Sequence, residues 1–138
     1  MNRADLQQLT ELRLREAQAL LAVGLADGAY YLAGYAVECA LKACIAKRTR
    51  EHDFPDKKLV DDSYTHNLRE LFRLAELKSD WDAELSANPA QKINWTVVQS
   101  WSEASRYERR RTPQEAIDLL NVIEDQTGGL LPWLRQRW

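Results

Sequence analysis

Four polar side chains interrupt an otherwise apolar stretch. Tyr31, Tyr35, Glu38 and Lys42 recur at i, i+4, i+7 and i+11, a spacing that places them on one face of a helix. A carboxylate four residues ahead of an ammonium is most simply a helix ion pair, worth roughly 0.2–0.5 kcal/mol. Their surroundings add a functional reading. Glu38 and Lys42 are the only charges between Ala29 and Ala46, and charges kept on a central helix must face a wet cleft or a partner. The two tyrosines offer stacking surface with a hydroxyl handle.

The second concentration of chemistry is Arg106, Arg109, Arg110 and Arg111, with Glu108 as the only acid between them. Guanidinium groups hold phosphates bidentately, and on a helix Trp95, Ser102, Arg106 and Arg109 share a stripe, which makes Trp95 available for stacking a base. The plainer reading is a helix C-terminus whose cations suit its dipole. The two histidines are His52, read as an exposed loop residue, and His66, read as part of the turn that opens a helix. Cys39 and Cys44 lie five apart, point to different sides of one helix and lack metal-spaced companions, so they read as small core residues. We find no glycine-rich phosphate loop, nucleophile motif or carboxylate cluster with metal spacing, and we expect neither a bound metal nor a cofactor.

The elements that must position these groups are all helical. Leu6, Leu9, Leu14, Ala17, Leu20 and Leu21 form an apolar stripe over a first helix from about Ala4 to Val23, with Arg13 oddly inside it. A break at Asp27 and Gly28 leads to a second helix, about Ala29 to Lys47, apolar nearly all round and rich in alanine, as a central helix is. A long connection from Arg48 to Thr65 contains Pro55. A third helix opens at the cap Asn67 and buries Leu68, Leu71, Phe72 and Ala75. A short turn from Ser79 to Leu85 ends at Asn88-Pro89. A fourth helix spans about Trp95 to Arg109, with Val97, Val98, Trp101 and Ala104 inward. The capping box Thr112-Pro113-Gln114-Glu115 opens a fifth that runs to about Gln126 and buries Ala116, Leu119, Leu120 and Ile123. The tail, with Trp133, Leu134 and Trp138, is expected to dock. The result is an all-α, antiparallel up-and-down bundle of four to five helices, a single domain over 1–138.

The totals agree. The chain has 138 residues, 45% hydrophobic and 29% charged, and only five Gly and four Pro, which argues against a loop-rich β fold. The net charge of -2 gives no general attraction to nucleic acid, so any such contact needs a local patch. The polar opening Met1 to Gln8 reads as no secretory leader, and Ala29 to Ala46 is too interrupted to cross a membrane; the expectation is a cytoplasmic protein.

The run from Ala29 to Ala43, AYYLAGYAVECALKA, resembles the signature helix of HEPN domains. His66 to Leu71 is similar to that family's third-helix start, Ser105-Arg106-Tyr107 to the Arg-Tyr pair closing its fourth helix, and Thr112 to Ala116 to its last-helix entry. Together these segments cover about 25 to 124 in order. The resemblance implies a small helical bundle that pairs as a homodimer, often beside a nucleotidyltransferase as toxin and antitoxin. Active members are metal-independent ribonucleases that use an Arg and a later His with four to six residues between them.

Here the pattern departs. No histidine follows Arg106, and Arg48 precedes His52 at the wrong distance and in the wrong region. Metal-free RNA cleavage needs a group that exchanges a proton near neutrality, which an imidazole does and a guanidinium does not. The expectation is therefore a non-catalytic binding module, a homodimer recognising a nucleotide, RNA or a nucleotidyltransferase partner through Tyr31, Tyr35, Glu38, Lys42, Arg106 and Arg109. The alternative is a divergent ribonuclease toxin that pairs Arg106 with Glu38 or with His66. A third possibility is a structural subunit whose tyrosine face is sealed in an interface.

Overall fold

Two long helices dominate the computed structural model, which describes residues 1–49, 53, 54 and 56–138. His52 and Pro55 lie outside the described residues. Helix α1 (Arg3–Ala22) starts from a capping box in which Asn2 and Asp5 exchange side-chain and backbone hydrogen bonds. It folds back through Val23–Leu25, with Gly24 at φ 82° supplying the left-handed residue of the turn. Helix α2 (Ala26–Arg48) follows, and α1 and α2 share the most extensive interface of the fold. The predicted break at Asp27 and Gly28 is absent: both lie inside α2. Asp27 there accepts the backbone N–H of Arg111 (2.7 Å), so a tertiary contact uses the residue that reads as a loop signal.

As its composition predicts, α2 is buried nearly all round, from Ala26 and Ala29 to Cys44 and Ile45. Its alanines let α1 and the helices over Leu68–Leu74 and Pro113–Glu124 come close. The remaining elements are α3 (Lys57–Asp62), α4 (Leu68–Leu74), α5 (Lys78–Ala87), α6 (Pro89–Gln99), a 3-10 turn (Glu103–Tyr107), α7 (Pro113–Glu124) and α8 (Leu130–Arg135). The fold is thus an all-α bundle, with no strand among the described residues. Among the described residues it has eight α-helices, because short helices fill stretches read as connections or turns.

The third- and fifth-helix expectations hold closely. Asn67 accepts from the Glu70 N–H, and Leu68, Leu71, Phe72 and Ala75 are buried. The Thr112/Glu115 capping box forms in full, and Ala116, Leu119, Leu120 and Ile123 are buried. The tail docks through Leu130, Leu131 and Leu134, and Arg135 grips Glu11 of α1 with two hydrogen bonds (2.9 and 2.8 Å). Arg13 behaves as a snorkelling residue. It pairs with Glu16 (2.5 Å), and its guanidinium sits 5.9 Å over the Tyr35 ring.

The fourth helix is the main correction. Asn88 caps the Ala90 N–H with Pro89 in the first turn, so the pair that ends α5 also starts α6. Helix α6 stops at Gln99, and Arg106 and Arg109 are not on it. Val98 and Trp101 are buried as expected, Val97 is partly buried and Ala104 is exposed. The early stop lets Trp101 leave the helix path and seat its indole on α2 at Gly34. A Cβ there would lie 2.2 Å from Trp101 Nε1, so only glycine admits the ring. Trp101 Nε1 also donates to the Tyr31 carbonyl (3.2 Å).

Candidate functional site

Helix α2 brings Tyr31, Tyr35, Glu38 and Lys42 onto one side, but they do not form one open face. The Tyr31 ring stacks on Tyr35 (6.0 Å) and on Trp101 (6.3 Å), which leaves both tyrosines half-buried with stacking faces already occupied. Tyr35, Glu38 and Lys42 instead line an apolar cleft of about 360 Å³ closed by Leu6 and Leu9 of α1 and by Leu59 and Val60 of α3. Burial raises the Tyr35 phenol above its ordinary value. Burial likewise pushes the thiols of Cys39 and Cys44 up to about 11, and both are free and buried, in keeping with two core residues.

Glu38 is 1% exposed. Its Oε1 accepts from Lys42 Nζ (2.8 Å), as the i,i+4 spacing predicts. The same oxygen meets His66 Nδ1 at 2.9 Å. That second contact crosses 28 residues of sequence and brings the start of α4 onto α2. His66 therefore does more than lead into a helix cap, which Asn67 provides. Oε2 of Glu38 is buried without a partner among the described residues.

The basic cluster divides in two. Arg111 is a clamp. Its Nε donates to Glu108 (2.5 Å) and its Nη1 to Glu115 (2.7 Å), its backbone N–H goes to Asp27, and its guanidinium lies 4.1 Å from the Tyr30 ring centroid. The hydrogen bonds to Glu108 and Glu115 hold the Arg111 guanidinium more firmly protonated than usual against the cost of its burial. The hydrogen bond from Arg111, helped by Thr112, keeps the Glu115 carboxyl below the usual range. Arg106, Arg109 and Arg110 are exposed and make no ion pair among the described residues. Arg106 lies on the 3-10 turn, with its guanidinium 5.0 Å from the ring of Tyr107, which is itself 75% exposed. Trp95, expected as a stacking surface beside them, is committed elsewhere: it packs edge-on against Phe72 (5.1 Å) and Trp81 (5.6 Å) in an aromatic cluster that includes Trp133. The exposed ring beside these arginines is instead Tyr107, which composition alone did not single out. Its signal was an aromatic set between arginines.

Glu38 and Arg106, joined in the alternative reading, have different partners: Glu38 is held by Lys42 and His66, and Arg106 lies on Tyr107. No group of His, Cys, Asp or Glu among the described residues is arranged to hold a metal ion, and no described helix is long and apolar enough to cross a membrane. No family model, curated protein or solved structure matches this chain.

Proposed function

We infer that the chain is a binding module that takes a phosphate-bearing ligand, a nucleotide or an RNA strand, on the segment Arg106–Arg110. The observation that carries this reading is three exposed guanidinium groups without an ion pair among the described residues, on the same short segment as the exposed ring of Tyr107, over which Arg106 lies. Cations alternating with an aromatic face are what a single strand or nucleotide needs: charge for phosphate and a plane for a base. The segment is also pre-positioned. Ser105 is buried at one end and the Arg111 clamp fixes the other, so binding orders little new chain. Nothing on this surface exchanges a proton near neutrality, which favours gripping over cutting.

The resemblance to HEPN domains supports a homodimer and a nucleotidyltransferase partner in the same reading. Sedimentation velocity on the purified chain is expected to show a dimer; a monomer at all accessible concentrations removes that part. Titration calorimetry with ATP and with a 20-nucleotide RNA is expected to show binding that weakens with salt and falls in Arg106→Ala. Absence of heat or competition with either ligand would sink the phosphate reading and leave only a protein partner. Cleavage of labelled RNA in excess chelator that disappears in Arg106→Ala would replace it with the ribonuclease reading.

A further inference from the structure

A second concavity is lined by none of Arg106, Arg109 and Arg110. His66, Arg69, Gln99, Trp101, Ser102 and Glu103 line a polar cleft of about 470 Å³ between the start of α4 and the turn after α6. Within it the His66 side chain is 44% exposed, while its Nδ1 is engaged by the buried Glu38. An ionised carboxylate only accepts hydrogen bonds, so the hydrogen between them sits on Nδ1. In the neutral ring Nε2 then carries the lone pair, and Nε2 is the nitrogen left for the cleft. Charge balance does not require this contact, because Lys42 already neutralises Glu38 at 2.8 Å. What the Glu38 bond adds is a fixed tautomer and a fixed ring orientation, as a carboxylate does for an imidazole that must act as a base.

We propose that His66 is a positioned proton acceptor, with Glu38 as its positioning residue, acting on a small polar substrate in this cleft. The walls set the class. Arg69 and Glu103 carry opposite charges, and Gln99 and Ser102 supply amide and hydroxyl groups, which suits a neutral or zwitterionic molecule better than a polyanion. His66 Nε2 takes the proton, the electron pair of the broken bond to hydrogen forms a new bond within the substrate as the bond to a leaving atom breaks, and the resulting imidazolium, held by Glu38, gives its proton to that leaving atom. This site does not depend on the arginine surface and stands or falls separately.

The test uses 5-nitrobenzisoxazole, whose opening reports a positioned base. Nε2 takes the proton from C3, the C–H pair completes the nitrile, and the N–O bond breaks to release a coloured phenolate. The full chain is expected to open it at least about tenfold faster than an equal concentration of free 4-methylimidazole. His66→Asn keeps an N–H for Glu38 but has no second ring nitrogen, and is expected to lose the acceleration with its circular dichroism unchanged. Glu38→Gln is expected to lower kcat with little change in KM. Long-range 15N spectra should show neutral His66 protonated at Nδ1 in the wild type and a mixed tautomer in Glu38→Gln. A rate no better than free 4-methylimidazole, an undiminished rate in His66→Asn, or a wild-type His66 protonated at Nε2 overturns the proposal, and the spectrum decides even where Glu38→Gln does not fold.

Discussion

The two concentrations of charge in this chain look alike in sequence and end in opposite states. Around Glu38 each charge is spoken for: a buried carboxylate holds an ammonium and an imidazole on one oxygen. Arg106, Arg109 and Arg110 are exposed and make no ion pair among the described residues, while Arg111 is tied down by Glu108 and Glu115. The difference teaches where burial cost acts. A charge on a central helix persists only with partners, because an unpaired one costs several kcal/mol, whereas surface guanidiniums are free to wait for a ligand. Fold stability and ligand affinity should therefore separate between the two regions.

Mutations can break that contrast, beginning at the buried end. Gly34→Ala forces a Cβ into the Trp101 indole; we expect a loss of about 3 kcal/mol or more, or failure to fold, measured by urea denaturation. Stability within 1 kcal/mol of wild type would mean that Trp101 is not seated there. Glu38→Ala strips Lys42 and His66 of their shared acceptor and opens a hole under α4, and about 2–3 kcal/mol should be lost in the same assay. Arg111→Ala removes two ion pairs with partly exposed acids, which screening weakens, together with the packing on Tyr30. A loss of about 1 kcal/mol is expected, with Asp27 still able to accept the backbone N–H.

The same clamp has a pH signature. The Glu115 carboxyl is held below its ordinary value of 4.5. A group lowered in the folded state stabilises it above that value, and its contribution disappears as pH falls through the lowered one. The difference in melting temperature between wild type and Glu115→Gln should accordingly shrink on acidification below about 4.5 and stay constant from pH 6 to 8; the reverse trend would contradict the clamp. At the other extreme, Arg109→Ala should leave stability within about 0.5 kcal/mol while reducing the salt dependence of RNA binding by about one unit of slope. If it instead destabilises the fold, the basic segment is structural and the contrast fails.

Much of this was legible in the chain because it is local. The cap at Asn67, the capping box at Thr112, the apolar wrap of α2 and the Glu38–Lys42 pair depend on spacings of three or four residues, which periodicity reports directly. What was hidden depends on partners far along the chain. Gly28 looks like a break, yet α2 runs through it because the packing of Ala26 and Ala29 and the Asp27–Arg111 bond outweigh a weak helix former. Asn88-Pro89 reads as a stop, and only the structure shows that the same cap starts α6. The end of α6 at Gln99 is set by the seat that Trp101 takes on α2 at Gly34, 67 residues before it, and no local pattern announces it. For the same reason His66 looked like a turn residue until α4 brought it onto Glu38.

The seat at Gly34 has a consequence for recognising kin of this chain. A bare backbone at position 34 and an indole at position 101 are complementary halves of one joint, and neither tolerates change alone. Related sequences should therefore substitute the two together, a bulkier residue at the first site accompanied by a smaller one at the second. That paired change would trace descent across distances at which the rest of the sequence has drifted beyond comparison.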